Sequence, residues 1–455
     1  MGVRLRKSTK PSRTARLQVE ALAAGGRGVA RSEGLVWFVA GGLPGDLVLA
    51  EPVRRRARFV EATVVEFVEP SPQRRQPACP VQGRCGGCPW MPLDEALQRS
   101  WKQRLIRDAL ERIGGLKGVE SETMRVPSSP LGYRNRVEFT VRWRGPGRPL
   151  VGFHATGSPG ALVDIERCLL QSEAANRVLD SVREHLAGPG SPGSRPRGEH
   201  RVVIRSSSLR GEILVGLREA GDPFPHAGRL ARFLSERHPE IVGVVRLRAP
   251  AGRRGRTRST VLVGRGRIVE RVAGIEVRLP AASFLQVSTA GAEELIRLVG
   301  ELAGPPEGRR VLDLYGGLGL FGVDLLRRGA TAATVCEVDA EAVACARELA
   351  RGGEELTGLE IVHAEVRDFL ERRFPTTIPD VVVANPPRAG LGRPVATAIR
   401  RLHPPRLILV SCDPPTMARD LKVLLEDGSY RVERIVPIDL FPQTAHIETA
   451  VLLVG

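Results

Sequence analysis

No stretch of the sequence approaches the about 20 consecutive apolar residues that a membrane-spanning helix needs, which excludes a transmembrane placement. Lysine is scarce: it occurs only at positions 7, 10, 102, 117 and 422, so 63 of the 68 basic residues are arginine. The N-terminus lacks both acids and an apolar segment, with Arg4, Arg6, Lys7, Lys10, Arg13 and Arg16 in its first sixteen residues. That pattern excludes a secretory signal and reads as a basic arm, an organellar transit peptide being the alternative. Apolar residues are not depleted. At 42% apolar and 26% charged, the chain is neither disordered nor collagen-like.

What is present is length and positive charge. A chain of 455 residues implies two or three domains, and a net charge of +17 implies a polyanionic partner, nucleic acid first and anionic membrane second. Short β-type runs at 17–19, 35–39, 47–49 and 59–68, separated by glycine turns, predict a small barrel. Its main basic stretch is Arg54, Arg55, Arg56 and Arg58, and a proline-rich linker is expected over 69–80. Apolar spacing predicts a helix over 94–113, stopped by Gly114 and Gly115. Strand-like runs such as 137–141 and 201–204 alternate with loops up to residue 278, including a Gly/Pro/Ser/Arg loop at 188–198. From Arg310 onward, apolar runs at 311–314, 334–337, 381–384 and 406–411 alternate with helical stretches, the pattern of an α/β domain with a mainly parallel sheet.

The chemistry-bearing residues fall at the ends of those runs. Asp313-Leu-Tyr-Gly-Gly-Leu-Gly follows the first, and glycines there let the backbone approach a ligand at the carboxyl edge of the sheet. Glu337 ends the next strand, 24 positions after Asp313, where an acid accepts ribose hydroxyls. An adenosine-bearing cofactor is implied, and the absence of G-x-G-x-x-G argues against NAD. Asn385-Pro-Pro-Arg388 follows the third run, with Arg388 where a base-stacking aromatic would stand in an amine methyltransferase. Cys412 follows the fourth, ahead of an expected helix start whose N–H groups would lower its pKa. A buried inert thiol is the ordinary fate of a cysteine, and suits Cys336 and Cys345. His446 and Glu448 stand two apart, at the expected start of a last strand and hence on one face.

Together these motifs resemble the RNA uracil-5-methyltransferases: D-L-Y-x-G-x-G-x-F at 313–321, N/D-P-P-R-x-G at 385–390, S-C-x-P-x-T-x-A-R-D-L at 411–421 and F-P-x-T-x-H-x-E at 441–448. The resemblance implies a multidomain α/β protein. It would comprise an OB-like TRAM barrel at 12–70 that binds RNA, a central α+β iron–sulfur and RNA-binding domain at 71–278, and a Rossmann-like methyltransferase domain at 279–455. It implies Cys412 as nucleophile, Glu448 as base, and Gln286, Tyr315, Glu337 and Asn385 as the residues that bind S-adenosylmethionine. Two positions depart from the family pattern: Gly316 stands where many members have cysteine, and Asn385 where many have aspartate, although a branch acting on ribosomal RNA also carries N-P-P-R. Cys79, Cys85 and Cys88 form C-x5-C-x2-C, with Cys168 80 residues later. Four such thiolates suit a [4Fe–4S] cluster, which the resemblance favours, with structural zinc as the rival.

Elementary chemistry asks for the same parts. Uracil C5 takes a methyl group only after a thiolate adds at C6, and a base must then remove the C5 proton. The expected substrate is 23S ribosomal RNA, with transfer RNA as the alternative, and the expected location is the cytoplasm; no membrane or protein partner is implied. A cytosine-5-methyltransferase shares the cysteine addition. A non-catalytic RNA-binding or ribosome-assembly protein on a retained fold is the reading from another class.

Overall fold

The computed structural model describes residues 14–143, 149–188, 198–248, 257–352, 356–372 and 378–455. The basic arm, apart from Arg16, and most of the 188–198 loop lie outside the described residues. Among the described residues no helix is long and apolar enough to cross a membrane. The chain divides into two compact units: the chain up to Trp101 with His154–Ala161 and Gln443–Ala445, and Lys102–Phe153 with Leu162–Pro442 and His446–Gly455.

In the first unit, β1 (Ala15–Leu22), β2 (Gly28–Ser32), β3 (Leu35–Ala40), β4 (Leu47–Arg55) and β5 (Phe59–Glu69) close into a barrel in the order β1-β2-β3-β5-β4. Alternating residues point inward, and Leu17, Val19, Ala30, Trp37, Val39, Val48, Ala50, Val60 and Ala62 fill the interior. β2 goes beyond the sequence expectation, because Gly-Val-Ala-Arg-Ser carries too few apolar residues to show a period of two. Arg54, Arg55, Arg56 and Arg58 are all exposed. The start of the expected linker is part of the barrel's polar frame. The buried Asp46 carboxylate accepts from the backbone N–H of Leu43 (2.6 Å) and Ser71 (2.8 Å) and from Nε of Arg74 (2.7 Å). Farther on, the cysteine-bearing loop is held along the 154–156 strand end: Gly86 N–H donates to His154 O (3.1 Å) and Thr156 N–H to Arg84 O (2.8 Å).

Helix α1 (Glu95–Ala109) passes into a π-turn at Leu110–Gly114, and Gly115, at φ 72°, closes it by donating its N–H to Leu110 O. β6 (Arg136–Arg142), β7 (Leu150–Ala155), β8 (Ser158–Asp164), β9 (His200–Ser206), β10 (Ile213–Glu219), β11 (Ile241–Arg248) and β12 (Arg258–Gly264) form a sheet in the order β12-β11-β10-β9-β6-β7-β8, most of whose residues belong to the second unit. Helix α2 (Glu173–Ala187) is capped by Ser172, and α3 (Ala227–Arg237) makes the crossover between the parallel strands β10 and β11. The hairpin β13 (Arg267–Val272) and β14 (Ile275–Pro280) leads through residues 281–288 into α4 (Thr289–Ala303).

The second sheet carries the candidate site. Its strands are β15 (Arg310–Leu314), β16 (Ala332–Glu337), β17 (Leu359–His363), β18 (Val381–Ala384), β19 (Arg406–Ser411), β20 (Arg431–Ile438) and β21 (Glu448–Val454), in the order β17-β16-β15-β18-β19-β21-β20. Helices α5 (Leu320–Arg327), α6 (Ala340–Ala350), α7 (Val366–Arg372), α8 (Gly392–Leu402) and α9 (Pro414–Leu424) alternate with them. β15 to β19 are parallel, and β21 runs antiparallel between β19 and β20. Val381 to Ala384 are all 0% exposed, as expected of a central strand covered on both faces. Strand order reverses between β15 and β18, so their carboxyl ends form the switch point where such sheets bind ligands.

Candidate active site

At the switch point, Tyr315 leaves β15 in a left-handed conformation (φ 57°), a strain concentrated at functional turns. Gly316 follows under close neighbours: a side-chain carbon there would stand 2.6 Å from Val335 and 2.9 Å from the Asp313 carboxyl group. The surroundings have thus closed around glycine. Asp313 is fully buried, and burial pushes its carboxyl up to about 7 against the opposing N–H of Gly322. Its Oδ1 has no partner. Glu337, at the end of β16, accepts the N–H of Gly317 on Oε2 (2.9 Å) and those of Val338 and Asp339 on Oε1 (both 2.7 Å). It therefore fastens the glycine loop to the next strand, and lone pairs remain on its oxygens. Asn385, just past β18, donates its N–H to Leu314 O (3.2 Å). Gln286 sits in the 281–288 loop beside Leu285, which shares a core with Leu318 of the glycine turn and Phe321 of α5. Tyr315, Glu337 and Asn385 thus lie along one carboxyl edge of the sheet.

Cys412 lies between β19 and α9, one residue before the N-cap Asp413, whose carboxylate accepts the N–H of Thr416 (3.0 Å). The lowered thiol pKa expected from the sequence is not met. Burial raises it, the Glu448 charge raises it further, and Arg388 only partly offsets them. Asp413, which takes a helix N–H itself, also raises it. Glu448 opens β21, opposite Ile438, at 2% exposure. Burial pushes its carboxyl up to about 8, and Arg388 opposes that shift. His446 precedes the strand rather than sharing its face. Burial, with help from the charges of Arg388, Arg134 and Lys102, drops its pKa to about 4, so its imidazole is neutral. Cys336 and Cys345 are buried thiols pushed up to about 12 and about 11, suited to packing.

Arg388, to which the sequence assigns no role, is a further candidate for the site. An Arg388 Nη atom lies 3.3 Å from Nε2 and 3.5 Å from Nδ1 of His446, across the ring rather than along one nitrogen, and its charge reaches both Cys412 and Glu448. Its sequence signals are its place in N/D-P-P-R-x-G and the replacement of an aromatic after N-P-P. The motif residues around it act as braces. Thr416 Oγ1 donates to Arg388 O (3.2 Å), Arg419 to Ala389 O (2.7 Å), and buried Asp420 accepts the N–H of Leu391 (2.7 Å). Lys102, 0% exposed, pairs with Asp439 at 2.6 Å and donates to Phe441 O (3.0 Å), fixing the segment ahead of His446.

Cys79, Cys85, Cys88 and Cys168 are all partly buried. Burial and the charge of Cys79 raise the Cys85 thiol, so those two are neighbours. Among the described residues no group of three or more His, Cys, Asp or Glu is arranged to hold a metal ion. No catalytic step is routed through a metal there.

A family model described as tRNA (uracil-5-)-methyltransferase matches residues 268–455. An uncharacterized RNA methyltransferase of Thermosynechococcus vestitus is 33% identical over 452 residues, covering 97% of this chain and 98% of that one. Another from Nitratidesulfovibrio vulgaris is 35% identical over 455 residues, covering 96% and 94%. The fold is similar to a crystal structure of Pyrococcus abyssi tRNA (uracil-54, C5)-methyltransferase in complex with S-adenosyl-L-homocysteine: TM-score 0.75, 24% identity, 96% of this chain and 99% of that chain covered. With the motif residues gathered along one edge of the second sheet and relatives matching along almost the whole length, the chain belongs to the RNA uracil-5-methyltransferase family, and is an RNA methyltransferase.

Proposed function

We propose that this protein methylates C5 of a uracil in RNA through a covalent adduct on Cys412, with Glu448 as the base. The observation that carries this reading is the meeting of three groups at one edge: Glu448 and Arg388 both act on the Cys412 thiol, and Arg388 acts on Glu448. The Cys412 thiolate adds to C6 and leaves an enolate across C5 and O4, so that C5 becomes nucleophilic. Arg388 is the cation placed to favour both that thiolate and the enolate charge. S-adenosylmethionine, when bound, supplies the methyl group from its sulfonium. Glu448 then takes the C5 hydrogen as a proton, the C5–H electron pair restores the C5–C6 double bond, and Cys412 leaves as thiolate. With its carboxyl near 8, Glu448 is largely protonated at lower pH, and it must release that proton to solvent before it can take the one on C5.

The residues fit the cofactor. A glycine turn, a strained Tyr315, Glu337 with spare acceptor capacity and the unpartnered Asp313 Oδ1 lie along one edge. Gln286, Tyr315, Glu337 and Asn385 are the residues proposed to hold it. The target uracil must leave its stack to reach Cys412, which favours a loop or single-stranded site. Large-subunit ribosomal RNA is the proposed substrate on the strength of N-P-P-R. Transfer RNA is the second reading, favoured by the description of the matching family model. Mass mapping of the methylated nucleotide after incubation with unmodified ribosomal and transfer RNA separates the two, and 5-methylcytidine in the product would sink both.

Within this proposal the barrel is a TRAM-type RNA-binding domain over 12–70, residues 71–278 a further RNA-binding domain, residues 279–455 the methyltransferase domain, and the cytoplasm the place of action. A [4Fe–4S] cluster on Cys79, Cys85, Cys88 and Cys168 rests on their spacing, with the nearness of Cys79 and Cys85 as support. Anaerobic purification should yield about four iron atoms per chain with sulfide, and one zinc without sulfide would replace that assignment.

A further inference from the structure

The 281–288 segment joins β14 to α4, and its course is set by donors from the first sheet. Asn135, the residue before β6, donates its side-chain Nδ2 to Gln286 O (2.9 Å) and its backbone N–H to Val287 O (2.8 Å). Arg136 Nε donates to Ala281 O (3.3 Å), and Arg205, its register partner on β9, donates to Ser283 O. Four of the eight carbonyls in the segment are thus held by three consecutive or cross-strand residues. Leu285 and Ser283 turn inward at 7% and 4% exposure, which leaves the Gln286 side chain partly open.

We propose that Asn135 is a positioning residue for the cofactor, acting through Gln286, an inference that rests on the reading of Gln286 as a cofactor-binding residue. Asn135 is 8% exposed, and its own carbonyl accepts the N–H of Ser206 (2.8 Å), so it is anchored in the sheet before it reaches the loop. Its Oδ1 is buried without a partner, so the donors alone orient the amide. Aspartate of the same size would set an acceptor against Gln286 O. A loop whose carbonyls are held in advance gives up less freedom when a ligand binds. The first sheet thereby pre-sets the side chain that the second sheet uses.

The test is a double-mutant cycle on the full-length protein, read by calorimetric binding of S-adenosylhomocysteine, with RNA affinity measured in parallel without cofactor. Asn135→Ser should weaken S-adenosylhomocysteine about tenfold and leave RNA affinity within about twofold. In a Gln286→Ala background, which keeps the carbonyl but removes the side chain being aimed, the same substitution should cost less than about twofold. An undiminished tenfold loss in that background would overturn the proposal and make Asn135 a general structural support. If Gln286→Ala alone leaves S-adenosylhomocysteine binding unchanged, the cofactor role of Gln286 falls first and the proposal with it. Should Asn135→Ser fail to fold, Arg136→Gln, which releases Ala281 O from a side chain 28% exposed, is put through the same cycle with the same criteria.

Discussion

The barrel and the second sheet use charge in opposite ways. On the barrel, Arg54, Arg55, Arg56 and Arg58 stand together and exposed, so each is solvated and acts on a partner mainly through numbers and range. At the sheet edge, Glu448, Asp313, Asp420 and the Lys102–Asp439 pair are buried, and one exposed arginine shifts two neighbours at once. The first arrangement suits holding a polyanion of any sequence. The second suits changing the protonation of a few atoms, because burial leaves little water to screen a neighbouring charge.

If that division holds, changes at the edge should alter chemistry and changes on the barrel should alter affinity. The largest effect is expected for Cys412→Ala, which should abolish methyl incorporation from labelled cofactor while RNA binding persists. Arg388→Gln should slow turnover about 10²-fold and move the pH profile of Cys412 alkylation by iodoacetamide upward, since its charge lowers that thiol; an unmoved profile would detach Arg388 from the site. Resolution of the adduct should accelerate as pH rises through about 8, where Glu448 ionises, and a flat profile between pH 7 and 9 would assign the base elsewhere. Replacing Arg54, Arg55, Arg56 and Arg58 by glutamine should leave cofactor binding intact and make the salt dependence of RNA affinity shallower by about 0.7 for each phosphate no longer neutralised. An unchanged slope would break the comparison on its barrel side. The smallest effect is expected for Gly316→Cys: a loss of about 1–3 kcal/mol of stability, read by denaturant unfolding, because the new side chain meets Val335 and Asp313.

The legible parts of the fold are those where local pattern and long-range packing agree. Strands β18 and β19 carry unbroken apolar runs and occupy the expected 381–384 and 406–411. β2 escapes a reading by pattern because its stability comes from pairing with β1 and β3 rather than from its own residues. Motif spacing places Tyr315, Glu337 and Asn385 at strand ends, where the structure has them. Spacing does not show that His446 stops short of its strand, or that Asp413 takes a helix N–H that was expected to favour the Cys412 thiolate. Both depend on which groups meet in space. Asn135 is invisible in the sequence for the same reason: its loop partners lie 151 and more positions away.

The most direct test of the account is the fate of RNA on the Glu448→Gln enzyme. That variant keeps the nucleophile and lacks the base, so the methylated adduct should form and fail to resolve. With radiolabelled cofactor and denaturing electrophoresis, label should remain on a protein–RNA band and vanish when Cys412→Ala is added. Turnover by Glu448→Gln at the unsubstituted rate, with trapped label appearing only when His446 is replaced, would contradict the account and move the base to the histidine.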